Sequence, residues 1–194
     1  MISSSSAGEG KTVTAVHLSV ALAETDNKVL LIDADLRKPK VNQYFHLKNT
    51  PGLTNYLGGL SAREEILHQT EYGNLTVACA GVTVPNPSEL LASAKMKSFL
   101  NDVSGSFDYI IIDTPPLNVV ADAFPLIKDS DGVILVVRSG ISTYPEVDRT
   151  VKSLEVIHAK ILGIILNAVK QKNGHSGYGY GKYGYYGSYG TYGG

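Results

Sequence analysis

The chain has 194 residues, with 17 Lys and Arg against 18 Asp and Glu, and a single cysteine. A balance so near neutral gives no bulk attraction to nucleic acid or to an anionic membrane surface, so binding must be local. Lone Cys79 excludes an internal disulfide; with no apolar run long enough to cross a bilayer and no signal-peptide pattern, the chain reads as cytoplasmic.

Only Met1 and Ile2 precede the first serines. The opening strand is therefore expected to be very short and to fill the sheet poorly, as in a fragment or a chain begun at a displaced start codon. Next comes "SSAGEGKT", Ser5 to Thr12, the phosphate-loop pattern G-x-x-x-x-G-K-T with Ser5 where the first glycine is usual. Gly8 and Gly10 let backbone N–H groups turn inward around phosphates, and Glu9 and Val13 belong to the same nucleotide-contacting stretch. Lys11 offers a point charge to the β and γ oxygens, and the Thr12 hydroxyl a ligand for Mg²⁺. The bland alternative is a Gly/Ser loop that merely opens a helix; a helical pattern over Thr12 to Ala23 directly after G-x-G-K-T argues against it.

Strand-like runs follow at "KVLLID", "LTVACA", "FDYIIID", "GVILVV" and "ILGIIL". They are apolar on both faces, as in a parallel sheet between helices, and Cys79 falls inside one as a core residue. Helices are predicted at Pro87 to Val103, where "NPSE" makes Asn86 an N-cap, and at Tyr144 to His158, where "TYPE" sets Thr143 and Glu146 as a capping box. The fold class is α/β, a doubly wound, mostly parallel sheet of P-loop NTPase type whose ligands sit at the carboxyl ends of the strands. Two strand ends there carry acids: Asp33 and Asp35 after the first long run, and Asp113 after "YIII". Acids so placed bind Mg²⁺ directly or through water, and one can take a proton from a hydroxyl nucleophile. Arg37 and Lys38 read equally as solvated charges or as contacts to phosphate or a partner.

Taken together, the loop with Ser6 rather than Lys at its second position, "LLIDADLRKP", "PNPSELLAS", "FDYIIIDTPP", "GVILVVRSG", "GIILNAV" and the terminal tyrosines resemble the bacterial tyrosine kinases (BY-kinases), in order along essentially the whole chain. The resemblance implies ATP and Mg²⁺ as cofactors, Asp33 as catalytic base, Asp35 and Asp113 as magnesium ligands, and Asn167 as a contact to adenine. It also implies a role in capsular or extracellular polysaccharide synthesis or export and a membrane-bound co-polymerase as activator, which would hold the protein peripherally at the inner face of the membrane. Family members carry helices with a Glu/Arg ring-assembly motif before the phosphate loop. No such motif is read here, so a homo-oligomer is implied by the resemblance alone.

The domain is expected over residues 1–173, followed by a disordered Gly/Tyr-rich tail over 174–194. That tail holds Tyr178, Tyr180, Tyr183, Tyr185, Tyr186, Tyr189 and Tyr192, seven of the chain's twelve tyrosines. Glycine is costly to order and the rings have no apolar partners in sequence, so these hydroxyls are expected to stay exposed and to serve as phosphate acceptors. An adhesive low-complexity tail is the plain alternative. Two other function classes remain open: a partition-type ATPase switch, many of which carry Lys at the position of Ser6, and a nucleotide-binding regulator without transfer activity.

Overall fold

A computed structural model describes residues 1–170. The tail tyrosines and the expected boundary at 173/174 lie outside the described residues. Seven strands form one sheet: β1 (Ile2–Ser4), β2 (Val29–Asp33), β3 (Leu67–Gln69), β4 (Leu75–Ala78), β5 (Tyr109–Asp113), β6 (Val133–Arg138) and β7 (Ile161–Asn167). Their order is β3-β4-β2-β5-β1-β6-β7, and every pairing is parallel except β3 with β4. This is the doubly wound α/β architecture expected from the doubly apolar strands.

Alternation along β2 shows why such strands need two covers. Leu30 and Ile32 pack with Phe99 and Leu154, on helices α5 (Ala94–Ser104) and α7 (Tyr144–Val156). Val29 and Leu31 turn the other way, onto Ala15 and Val16 of α1 (Lys11–Ala23). Each such side chain contributes about 1.5–3 kcal/mol on burial. Cys79 is buried as expected, and that burial pushes its thiol up to about 12.

The centre of the sheet is better filled than the sequence suggested. Strand β1 has three residues, yet it lies between β5 and β6 with Ile2, Ser3 and Ser4 in register with Ile134, Leu135 and Val136. Ile2 is 1 % exposed, and the buried hydroxyls of Ser3 and Ser4 donate to the carbonyls of Pro115 (2.9 Å) and Ser6 (2.8 Å). Small side chains that satisfy themselves locally can sit at the middle of a sheet where larger polar ones could not.

Three further differences have local causes. The helix predicted over Pro87 to Val103 is two helices, α4 (Pro87–Leu91) and α5, because Ser93 is extended (ψ 151°) and its Oγ accepts the Met96 N–H as a new N-cap. Asn86 does not cap by accepting an amide; its side chain donates to Glu89 instead. At α7 the expected box forms, with the Glu146 carboxylate accepting the Thr143 N–H at 3.1 Å, but the helix ends at Val156 because His158 turns left-handed (φ 55°). Edge strand β3 and the short helices α2 (Val41–Tyr44), α3 (Leu53–Leu57) and α6 (Phe124–Ile127) complete the set, all too short to show a period. At the opposite edge, β7 is exposed on both faces, Leu162 and Leu166 by more than half. No helix among the described residues is long and apolar enough to cross a membrane.

Candidate active site

Parallel strands bring their carboxyl ends to one side of the sheet, which is where the sequence placed its motifs. The loop from Ser5 to Gly10 leaves β1 and runs into α1. Gly8 (φ 81°) and Gly10 (φ 99°) take the left-handed conformations that residues with a side chain rarely adopt. A side chain at Gly10 would also collide with the Asn167 amide, at 2.0 Å from an ideal Cβ.

Four charged groups meet behind this loop. Lys11 Nζ donates to Asp35 Oδ2 at 2.8 Å and lies 3.9 Å from Asp113 Oδ1. Asp33 and Asp113 are register neighbours at the ends of β2 and β5. Burial lowers the Lys11 pKa, but Asp113 and Asp35 outweigh it and the net shift is upward, so the ammonium stays charged. Asp33 is wholly buried: Oδ1 accepts the Asp35 N–H, and Oδ2 the N–H groups of Lys40 and Val41. Burial first and the Asp113 charge second push it up to about 7. Asp113 is raised to about 6 by burial, against the pull of Lys11 and of nearby Thr12. Thr12 is close without the alignment of a hydrogen bond, since among the described residues neither carboxylate oxygen of Asp113 has a partner.

Two buried, unbonded carboxylate oxygens beside a threonine hydroxyl are hard donors waiting for a hard cation. Among the described residues no group of three or more His, Cys, Asp or Glu forms a cage. Magnesium does not need one, because it binds through one or two carboxylates, waters and the phosphates of its nucleotide. The donor set therefore fits Mg²⁺ with a nucleoside triphosphate. Above it opens a cleft of about 340 Å³ whose walls include Lys11, Thr12, Asp35, Arg37, Tyr44 and Arg138.

Of the residues singled out in the sequence, Gly8, Gly10, Lys11, Thr12, Val13 and Asp35 line the cleft, while Glu9, Asp33, Asp113 and Asn167 do not. The Glu9 side chain is wholly buried, accepting the Ser6 N–H at 2.7 Å and the Ser142 hydroxyl. Asn167 donates from Nδ2 to the Glu9 carbonyl at 3.0 Å and accepts the Ala168 N–H at Oδ1. Arg37 is not a free charge: it lines the cleft while gripping Asp122 with two nitrogens, and Ser88 donates to the same carboxylate. Arg37 first, with Ser88 in support, holds Asp122 below the usual carboxylate range despite some burial. The cleft's second arginine, Arg138, was missed by the sequence reading. It closes the apolar run "VILVV", and a charge at the carboxyl end of a strand in this fold was the available signal.

A glycine-turned loop at a helix start, a lysine over paired acids and an α/β sheet with this strand order define a P-loop nucleotide-binding domain. A family model described as an AAA domain matches residues 1–165. Over 180 residues the chain is 42 % identical to Tyrosine-protein kinase YwqD of Bacillus subtilis, spanning 93 % of this chain and 76 % of that one. The kinase domain of the Escherichia coli tyrosine kinase ETK superposes with a TM-score of 0.85 at 35 % identity, over 93 % of this chain and 71 % of the other. A septum site-determining protein MinD from Pyrococcus horikoshii, complexed with Mg-ADP, matches with a TM-score of 0.72 at 26 % identity, over 85 % and 68 %. The chain belongs to the bacterial tyrosine-protein kinase family.

Proposed function

We propose that this chain is an ATP-dependent protein-tyrosine kinase that phosphorylates its own C-terminal tyrosines and regulates capsular or extracellular polysaccharide synthesis or export. In that reading residues 1–173 are the kinase domain and 174–194 its substrate segment. A membrane-bound polysaccharide co-polymerase acts as activator and holds the chain at the inner face of the membrane. The observation that carries the reading is Asp113, buried with both oxygens unbonded beside Lys11 and Thr12.

The loop amides and Lys11 hold the β and γ phosphates and balance the charge that builds on them during transfer. Thr12, Asp113 and Asp35 are the groups to hold Mg²⁺, which supplies charge neutralisation at the phosphates when bound. To serve as a ligand Asp35 would have to release Lys11, whose ammonium would then be available to phosphate. The tyrosine oxygen attacks the γ-phosphorus, the bond to the bridging oxygen breaks, ADP leaves, and Asp33 takes the phenolic proton. Because Asp33 is wholly buried and stands outside the cleft wall, with three backbone amides on its oxygens, that step requires the loop after β2 to move and open a path to it. Asn167 keeps a second amide hydrogen for adenine.

The test is mass spectrometry of the purified chain after incubation with and without ATP and Mg²⁺, alongside Lys11→Met. Phosphate on Tyr178 to Tyr192 in the parent and none in the variant is the expected result. Phosphate released with no label on the protein identifies a partition-type switch instead, and equal labelling of the variant removes the phosphate loop as the transfer site.

A further inference from the structure

Arg138 and Asn167 end β6 and β7 and are register partners across that pairing. Both reach back to the phosphate loop, and each takes a carbonyl. Arg138 Nη1 donates to the Gly8 carbonyl at 2.8 Å, and Asn167 Nδ2 to the Glu9 carbonyl at 3.0 Å. These are consecutive peptides. In a planar trans peptide the C=O of one residue and the N–H of the next point in opposite directions. Fixing the Gly8 carbonyl toward β6 therefore aims the Glu9 N–H away from it, and fixing the Glu9 carbonyl does the same for the Gly10 N–H. Among the described residues, no hydrogen bond takes up either N–H. They are the donors an anion would meet.

We propose that Arg138 and Asn167 are a positioning pair: they hold the two outward carbonyls so that the intervening amides stand ready for the phosphates of the nucleotide. The pair acts through the loop backbone, apart from any contact of Asn167 with the base. Glu9 braces the same segment through its side chain, on the Ser6 N–H and on the hydroxyl of Ser142, which itself accepts the Arg138 N–H at 2.8 Å. A glycine-rich loop loses much entropy on ordering, and a loop held in advance leaves less of that loss to the moment of binding.

The inference rests on reading this loop as the phosphate site, and the probe is chosen to separate the two. Inorganic pyrophosphate with Mg²⁺ has no base and reports on the loop alone. Its dissociation constant is measured by calorimetry for the parent, Arg138→Met, Asn167→Ala and the double variant, with circular dichroism and thermal unfolding confirming the fold of each. Each single change is expected to weaken pyrophosphate binding about tenfold, the loss of one hydrogen bond's worth of order. The double variant is expected to lose markedly less than the product of the two, because both hold one segment. ATP saturation should shift in KM with kcat little changed. Multiplicative losses would show independent contacts to the ligand and overturn the pair. Unchanged pyrophosphate affinity in Asn167→Ala, with ATP affinity alone reduced, would make that residue a base contact only. No pyrophosphate binding by the parent would sink the phosphate-site reading itself.

Discussion

Among the described residues, Asp113 alone of the charged groups at the centre of the site has no hydrogen bond, and Asp33 has three from backbone amides. The two acids thus make different demands. Asp113 is held at about 6 in the fold against an ordinary value of 3.8, so the folded chain keeps this proton more tightly than the unfolded one. Its contribution to stability is complete below about pH 4 and is lost as pH rises through about 6. With EDTA and no nucleotide, Asp113→Asn should therefore stabilise the fold at pH 7.5 by on the order of 3 kcal/mol, seen as a higher Tm, and the gain should vanish toward pH 4. The same variant should lose Mg²⁺-dependent nucleotide binding. Asp33→Asn should behave in reverse: it keeps Mg·ATP binding, while transfer falls about 10² to 10⁴-fold as for loss of a general base. Thermal unfolding, calorimetry and phosphotyrosine blots read all four quantities. A lower Tm for Asp113→Asn, or equal loss of nucleotide binding in both, would overturn this division.

At the scale of elements, the five long strand runs and the helix starts at Pro87 and Tyr144 were legible in the sequence because each carries its own signal in period, branching, a first-turn proline or a capping box, though the cap expected of Asn86 does not form. What stayed hidden depends on neighbours. Ser93 reads as a helix residue until its Oγ is seen to take the Met96 N–H, and Arg37 reads as a solvated charge or a contact to phosphate or a partner, with no sign of Asp122 and Ser88 closing around it. The candidate site was legible in its glycines, lysine and acids, since those are tied by spacing along the chain. Arg138 and Asn167 meet the loop only through strand order, which no local pattern reports. Strands with one look also differ in weight: "KVLLID" and "ILGIIL" are alike in sequence, but Leu30 is wholly buried and Leu162 is 55 % exposed. Leu30→Ala is expected to cost about 2–5 kcal/mol and Leu162→Thr less than about 0.5. Urea unfolding of both variants measures this, and a large loss at Leu162 would mean that the β7 edge is covered in solution.

For the molecule as a whole, the question is whether a chain serves its own tail. Strand β7 ends at Asn167, which touches the phosphate loop, so the segment that follows leaves the fold beside the chain's own site. Eighteen residues separate Gly174 from Tyr192, and a chain of that length spans at most about 59 to 65 Å. A domain of about 170 residues has a radius of gyration near 16 Å. Distance therefore permits transfer within one molecule for the distal tyrosines. In-line attack asks for more than distance, because the phenol must enter on the side of the γ-phosphorus opposite the leaving oxygen. Only 11 residues separate Tyr178 from Asn167, which leaves it less slack for that approach than Tyr192 has, whereas the tail of a second molecule is not bound by that length. Transfer between molecules is accordingly expected to dominate. The check mixes an active chain cut after residue 173 with a Lys11→Met chain that keeps its tail, and maps phosphate on the inactive partner. Labelling of Tyr178 through Tyr192 there, at a rate that rises with the concentration of the active chain, is the expected outcome. An unlabelled partner, with a concentration-independent rate in the intact chain, would show that each tail is served by its own site.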